Sequence, residues 1–110
     1  MKTIAAFFLS AVLALAADVT GTWTGNVVLS AGSGSPKFEF KQTGETLTGT
    51  YKGQFGDAPL KGTVKGDKIE FSFGTDQATA KYSGTVTGNK MAGTVEYGEL
   101  GGGTFDATKD

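Results

Sequence analysis

Few side chains in this chain can do chemistry, and their types narrow the options. Its 110 residues include no His and no Cys, which removes Ser-His-Asp and Cys-His nucleophiles, zinc fingers, iron–sulfur clusters and disulfides. What remains is carboxylate, lysine ammonium, hydroxyl and phenol. The carboxylates do not converge. Glu39, Glu70, Glu96 and Asp106 alternate with apolar residues and so face away from them, while Asp57, Asp67 and Asp76 fall in separate turns without EF-hand spacing. Gly101-Gly102-Gly103 lacks the strand and helix that frame a phosphate cradle. The expectation is therefore no enzyme, no metal and no cofactor. The phenols differ, because Tyr51, Tyr82 and Tyr97 share the register of the apolar residues. A buried tyrosine hydroxyl needs a partner, and a ligand can supply one. Tyr51, Tyr82 and Tyr97, with Gln42 and Phe55, form the candidate ligand-binding set. The competing reading puts each Tyr near the end of its element with its hydroxyl in water.

The elements that must carry these residues show a period of two. From Val19 to Leu29 the odd positions are Val, Gly, Trp, Gly, Val and Leu, and four of the five even positions are Thr or Asn. The same alternation recurs around Phe38 and Phe40, from Leu47 to Gly53, from Leu60 to Val64, from Ile69 to Phe73, from Tyr82 to Val86, from Met91 to Val95 and from Gly103 to Ala107. These are eight strands. Thr43-Gly44, Lys65-Gly66-Asp67 and Thr87-Gly88-Asn89 are hairpin turns. Longer links run over 31–35, 54–58, 74–77 and 98–102, none of them long enough for the crossover that parallel pairing requires. Pro36 and Pro59 mark strand starts. The fold class is all-β, a single eight-stranded antiparallel up-and-down barrel, with a sandwich of two sheets as the alternative.

Ahead of this domain, Met1-Lys2 and the apolar run from Ile4 to Leu15 lead into Ala14-Leu15-Ala16, the pattern of a secretory signal peptide. The run is shorter than the roughly 20 residues of a spanning helix. Residues 1–16 are read as a leader helix and 17–110 as the barrel, which is not membrane-spanning after cleavage. The location expected is secreted or periplasmic, in a bacterium. A formal charge of -1 argues against nucleic acid as a partner.

The mature chain places all its aromatics, and most of its strand Gly, in the apolar register. The glycines have two readings: they let tight strands coil and aromatics lie over backbone, or they hollow out a lumen. A membrane barrel with the aromatics facing lipid is opposed by short segments, by the absence of alternating long loops and by the Lys excess it would enclose.

Val19-Thr20-Gly21-Thr22-Trp23 resembles the Gly-x-Trp first strand of the calycin group, which comprises lipocalins, fatty-acid-binding proteins and avidins, and Leu47-Thr48-Gly49-Thr50-Tyr51 resembles an early strand of avidin-type barrels. The whole mature chain is similar to small exported lipocalin-like proteins of bacteria. The resemblance implies that Trp23 packs under a basic residue of the last strand, here Lys109, closing one end. It also implies a monomeric barrel that binds a small hydrophobic ligand. Avidin-type sites use several Trp, and this chain has one. The second function carried forward is a structural or protein/polysaccharide interaction module with a filled core, acting through its loops.

Overall fold

The computed structural model describes residues 17–54, 56–75 and 79–110. The leader expected over 1–16, the candidate Phe55 and the end of the 74–77 link lie outside the described residues. The alternating segments form strands β1 (Gly21–Leu29), β2 (Gly32–Gly34), β3 (Lys37–Thr43), β4 (Thr46–Gly53), β5 (Gly56–Lys65), β6 (Lys68–Gly74), β7 (Thr79–Thr87), β8 (Lys90–Glu96) and β9 (Gly102–Lys109). Each pairs antiparallel with its neighbours, and β9 returns to β1 through a ladder from Trp23↔Lys109 to Leu29↔Gly103. The sheet is closed.

β2 and β3 are one barrel strand broken at Ser35-Pro36. The register is unbroken across the gap, running from Leu29↔Gly32 to Val27↔Gly34 and on from Thr24↔Lys37 to Gly21↔Phe40. Gly25 N–H donates to the Pro36 carbonyl at 2.8 Å, but Pro36 has no N–H to return the bond. Eight barrel strands result, as the alternation predicts. Three local differences from the sequence reading have physical causes. The first strand begins at Gly21 rather than Val19, because residues 17–20 fold in under the barrel end. Strand β5 begins at Gly56, so the 54–58 link is a tighter turn than expected. Pro59 therefore lies within β5 rather than at its start, opposite Thr50 and just before the β6 ladder begins at Leu60, where a missing donor interrupts no bond to β6.

The stagger can be read from the pairing. Trp23, Phe38, Tyr51 and Ala58 are successive partners; two residues along β5, Leu60, Phe73 and Ala80 continue the path; two residues along β7, Tyr82, Val95, Gly103 and Leu29 complete it. The path regains β1 six residues above Trp23 after two downward steps of two, a total stagger of ten. With strands roughly 4.8 Å apart and a rise of about 3.3 Å per residue, this tilts the strands by about 40° and sets the backbone about 8 Å from the axis. Such a barrel is just wide enough for side chains to fill.

They do fill it. The buried apolar residues form one cluster that includes Trp23, Phe38, Phe40, Tyr51, Phe71, Phe73, Tyr82, Tyr97 and Phe105. Phe71 stacks on its ladder partner Tyr82 at 4.7 Å, and Phe38 meets both rings edge-on at 5.2 and 5.4 Å. Tyr51 stacks on Phe73 at 4.0 Å across β5, where Ala58, the partner of Tyr51, is small enough to let them meet. The polar register faces out, and among the described residues Val28 is the one large hydrophobic side chain counted as exposed. That Thr- and Lys-rich exterior lacks the apolar band that a lipid-facing barrel presents.

The interior glycines serve strand coiling more than void. A Cβ at Gly49, Gly62, Gly93 or Gly103 would lie 1.8–2.0 Å from a carbonyl oxygen of the neighbouring strand. Backbone occupies that space.

Candidate functional site

The two barrel ends differ. At the lower end, with the turns at Gly44, Gly66 and Gly88, residues 17–20 cover the core. Ala17 N–H donates to the Gly66 carbonyl at 3.0 Å. Gln42 locks the segment: its Oε1 accepts from Val19 N–H at 2.9 Å, and its Nε2 donates to the carbonyls of Ala17 at 2.9 Å and Gly44 at 3.0 Å. Trp23 is fully buried above it and donates its indole N–H to the Val19 carbonyl at 2.9 Å. Lys109 stands opposite Trp23 in the ladder, and its stem crosses Gly21, where a Cβ would sit 2.8 Å from Cε. Trp23 and Lys109 are thus ladder neighbours at this end, with the lysine stem over Gly21. Gln42 also belongs here, far from the other members of the expected ligand set, and its role is to fasten the N-terminal segment.

The upper end, with the turns after Leu29 and Gly53 and the 3-10 turn Gly98–Leu100, holds a cavity of about 310 Å³ that opens to solvent. Its apolar walls come from Val27, Leu29 and Pro36, its rim from Ser33, Ser35 and Gln54, and its floor from Tyr51 and Tyr97. Each wall has a local cause. Pro36 is held in by the break between β2 and β3. Gly34 leaves room for the Gln54 amide, whose carbon would lie 3.6 Å from a Cβ there. Gly53 leaves room for the Tyr51 hydroxyl, which would lie 2.3 Å from a Cβ.

Beneath the floor the three tyrosines converge. The Tyr82 and Tyr97 hydroxyls hydrogen-bond each other at 2.5 Å, and the Tyr51 phenol lies close enough to Tyr97 to perturb it. Among the described residues no buried side-chain polar atom lacks a partner. The Tyr82 and Tyr97 hydroxyls therefore satisfy each other rather than reaching water separately, a third arrangement beside the two expected from sequence. Burial pushes the Tyr82 phenol far above the ordinary tyrosine value, with the Tyr97 hydrogen bond and the neighbouring phenols adding to the shift. Tyr97 is pushed up to about 12, chiefly by burial. Both phenols are thus neutral at physiological pH. The described residues that line the cavity include no carboxylate and no ammonium.

The structure brings Tyr51, Tyr82 and Tyr97 together and leaves Gln42 apart; Phe55 is outside the described residues. Sequence reasoning missed Val27, Leu29, Pro36 and Gln54. A signal for Gln54 was present, since it follows Gly53 in the link beside Tyr51. Comparison with protein-family models and with curated proteins gives no match.

Proposed function

We propose that the protein is an exported lipocalin-like barrel that binds a small apolar ligand in its upper cavity and performs no catalysis. The observation that carries this reading is the cavity itself: apolar walls and a neutral hydroxyl floor above a filled core. Its volume falls at the lower end of the range of small-molecule sites. The filled aromatic core limits the ligand to the mouth and leaves no room for a chain threaded along the axis. The Gly21-Thr22-Trp23 start and the pairing of Trp23 with Lys109 in the closing ladder support the lipocalin-like reading. The leader pattern in residues 1–16 supports secretion or a periplasmic location, and the polar exterior supports a monomer.

The test is an NMR titration with short and long apolar molecules. Saturable shifts are expected at the amides of Val27, Gly34 and Gln54, with Trp23 unmoved at the opposite end. Without a saturable shift from any ligand, the binding reading fails. The filled core then favours the interaction module, whose partner would engage the upper loops.

A further inference from the structure

The charges of the outer face are unevenly placed, although they nearly cancel over the chain. Lys41, Lys61, Lys65, Lys68 and Lys81 are exposed on β3, β5, β6 and β7, with Glu70 as the strand carboxylate among them and Glu45 and Asp67 in the turns beyond. On β8 and β9, Glu96 and Asp106 offset Lys90 and Lys109. Lys37 and Lys52 are engaged with Asp110 and Glu39 at 2.8 and 3.3 Å, whereas Lys41, Lys61 and Lys81 have no ion pair among the described residues. The register turns these three into a row. Lys41 pairs with Thr48, Thr48 with Lys61, Lys61 with Ser72 and Ser72 with Lys81, so ammonium and hydroxyl alternate from β3 to β7. Successive lysines are about 10 Å apart at the backbone, two strand spacings. Because the strands tilt, the row climbs obliquely and spans about 100° of the circumference, within reach of one linear chain. A surface groove of about 280 Å³ lies between Lys61 and Lys81, and Glu70 lines it between its ladder partners Thr63 and Ser83. This lining discriminates among polyanions. Glu70 repels a densely charged phosphate chain but, with the exposed Thr63 and Ser83, accepts hydrogen bonds from sugar hydroxyls. Among the described residues no aromatic side chain is exposed for bases to stack on, and Val28, the large exposed hydrophobic, lies on β1 away from the row, so a membrane finds no anchor there. We infer that the row from Lys41 through Lys61 to Lys81 is a docking surface for a linear polysaccharide bearing carboxylates, a site independent of the upper cavity.

The experiment titrates the full chain with an oligouronate, a neutral oligoglucan of equal length, inorganic polyphosphate and phosphatidylglycerol vesicles, following backbone amides by NMR. Saturable shifts are expected with the oligouronate at Thr48, Lys61, Ser72 and Lys81, weakening as salt rises, and none with the oligoglucan. Lys61→Gln should weaken binding about two- to fivefold, and Lys41→Gln, Lys61→Gln and Lys81→Gln combined should abolish it. Lys90→Gln, on β8, removes the same charge as Lys61→Gln and should leave binding unchanged. All four lysines are exposed, so the variants should keep the parent's denaturant midpoint. If Lys90→Gln weakens binding as much as Lys61→Gln does, overall charge drives it and the inference is overturned. Tighter binding of polyphosphate or vesicles than of the oligouronate, equal binding of the oligoglucan, or no saturable shift along the row overturns it as well.

Discussion

At the residue scale, three phenols lie buried together in an apolar barrel, two of them hydrogen-bonded to each other, and this makes the fold sensitive to alkali. In the unfolded chain a tyrosine loses its proton near 10.0, whereas in the fold Tyr97 holds its proton to about 12 and Tyr82 beyond that, both mainly because burial penalises the phenolate. The folded state thus keeps protons that the unfolded state has released. This contribution to stability is complete below pH 10 and falls as pH rises toward 12. The expected outcome is a phenolate absorbance titration in which at least two of the three tyrosines stay silent through pH 10 and ionise only as the near-ultraviolet circular dichroism collapses. Independent titration of all three near their ordinary value, with the fold intact, would refute the buried cluster. The inward register of these tyrosines was legible in the sequence. Their meeting was not, because alternation gives the face of the sheet while height along the axis depends on tilt and stagger. The same limit explains Gln42, which has the expected face but lies at the end opposite the cavity, fastening residues 17–20.

At the element scale, the eight alternating segments and three of the hairpins were legible because one face of every strand is apolar or Gly. The break at Ser35-Pro36 and the inward fold of 17–20 were not, since each is set by tertiary contacts: the Gly25 to Pro36 bond and the Gln42 clamp. The sequence left the glycines open between packing and lumen, and the geometry decides for packing in strand interiors. Gly62 faces the Glu70 carbonyl so closely that an added methyl would sit 1.8 Å from its oxygen. Gly62→Ala should therefore push β5 and β6 apart and cost about 3 kcal/mol or more. Gly74→Ala is the control, because its nearest neighbour is Thr79 Oγ1 at 3.8 Å; its effect should stay within about 0.5 kcal/mol. Denaturant midpoints of the two variants measure the contrast, and equal midpoints would remove the coiling argument.

At the scale of the whole molecule, everything rests on closure. The β1–β9 ladder joins residues from opposite ends of the domain, Trp23 with Lys109 and Leu29 with Gly103, so it carries a large loop-closure cost before its contacts form. Without it, β1 and β9 become free edges with unpaired donors and acceptors, a template for pairing between chains. Thr104 tests this, for it is exposed on the outer face while its backbone lies between Val28 of β1 and Thr94 of β8. Thr104→Pro removes a backbone donor from the middle of the seam without touching the core, and proline in a sheet interior is tolerated only where no ladder bond is needed. Thr104→Lys keeps the donor and alters only the exposed side chain, so its stability should stay within about 0.5 kcal/mol of the parent. The proline variant should lose about 3 kcal/mol or more and shift toward oligomers in size-exclusion chromatography, because the opened seam offers its edges to another copy. A monomeric Thr104→Pro protein as stable as Thr104→Lys would mean that the seam bears little of the fold. The two barrel ends, and the cavity between β2 and the β4–β5 turn, would then have to be held by the remaining seven barrel ladders alone.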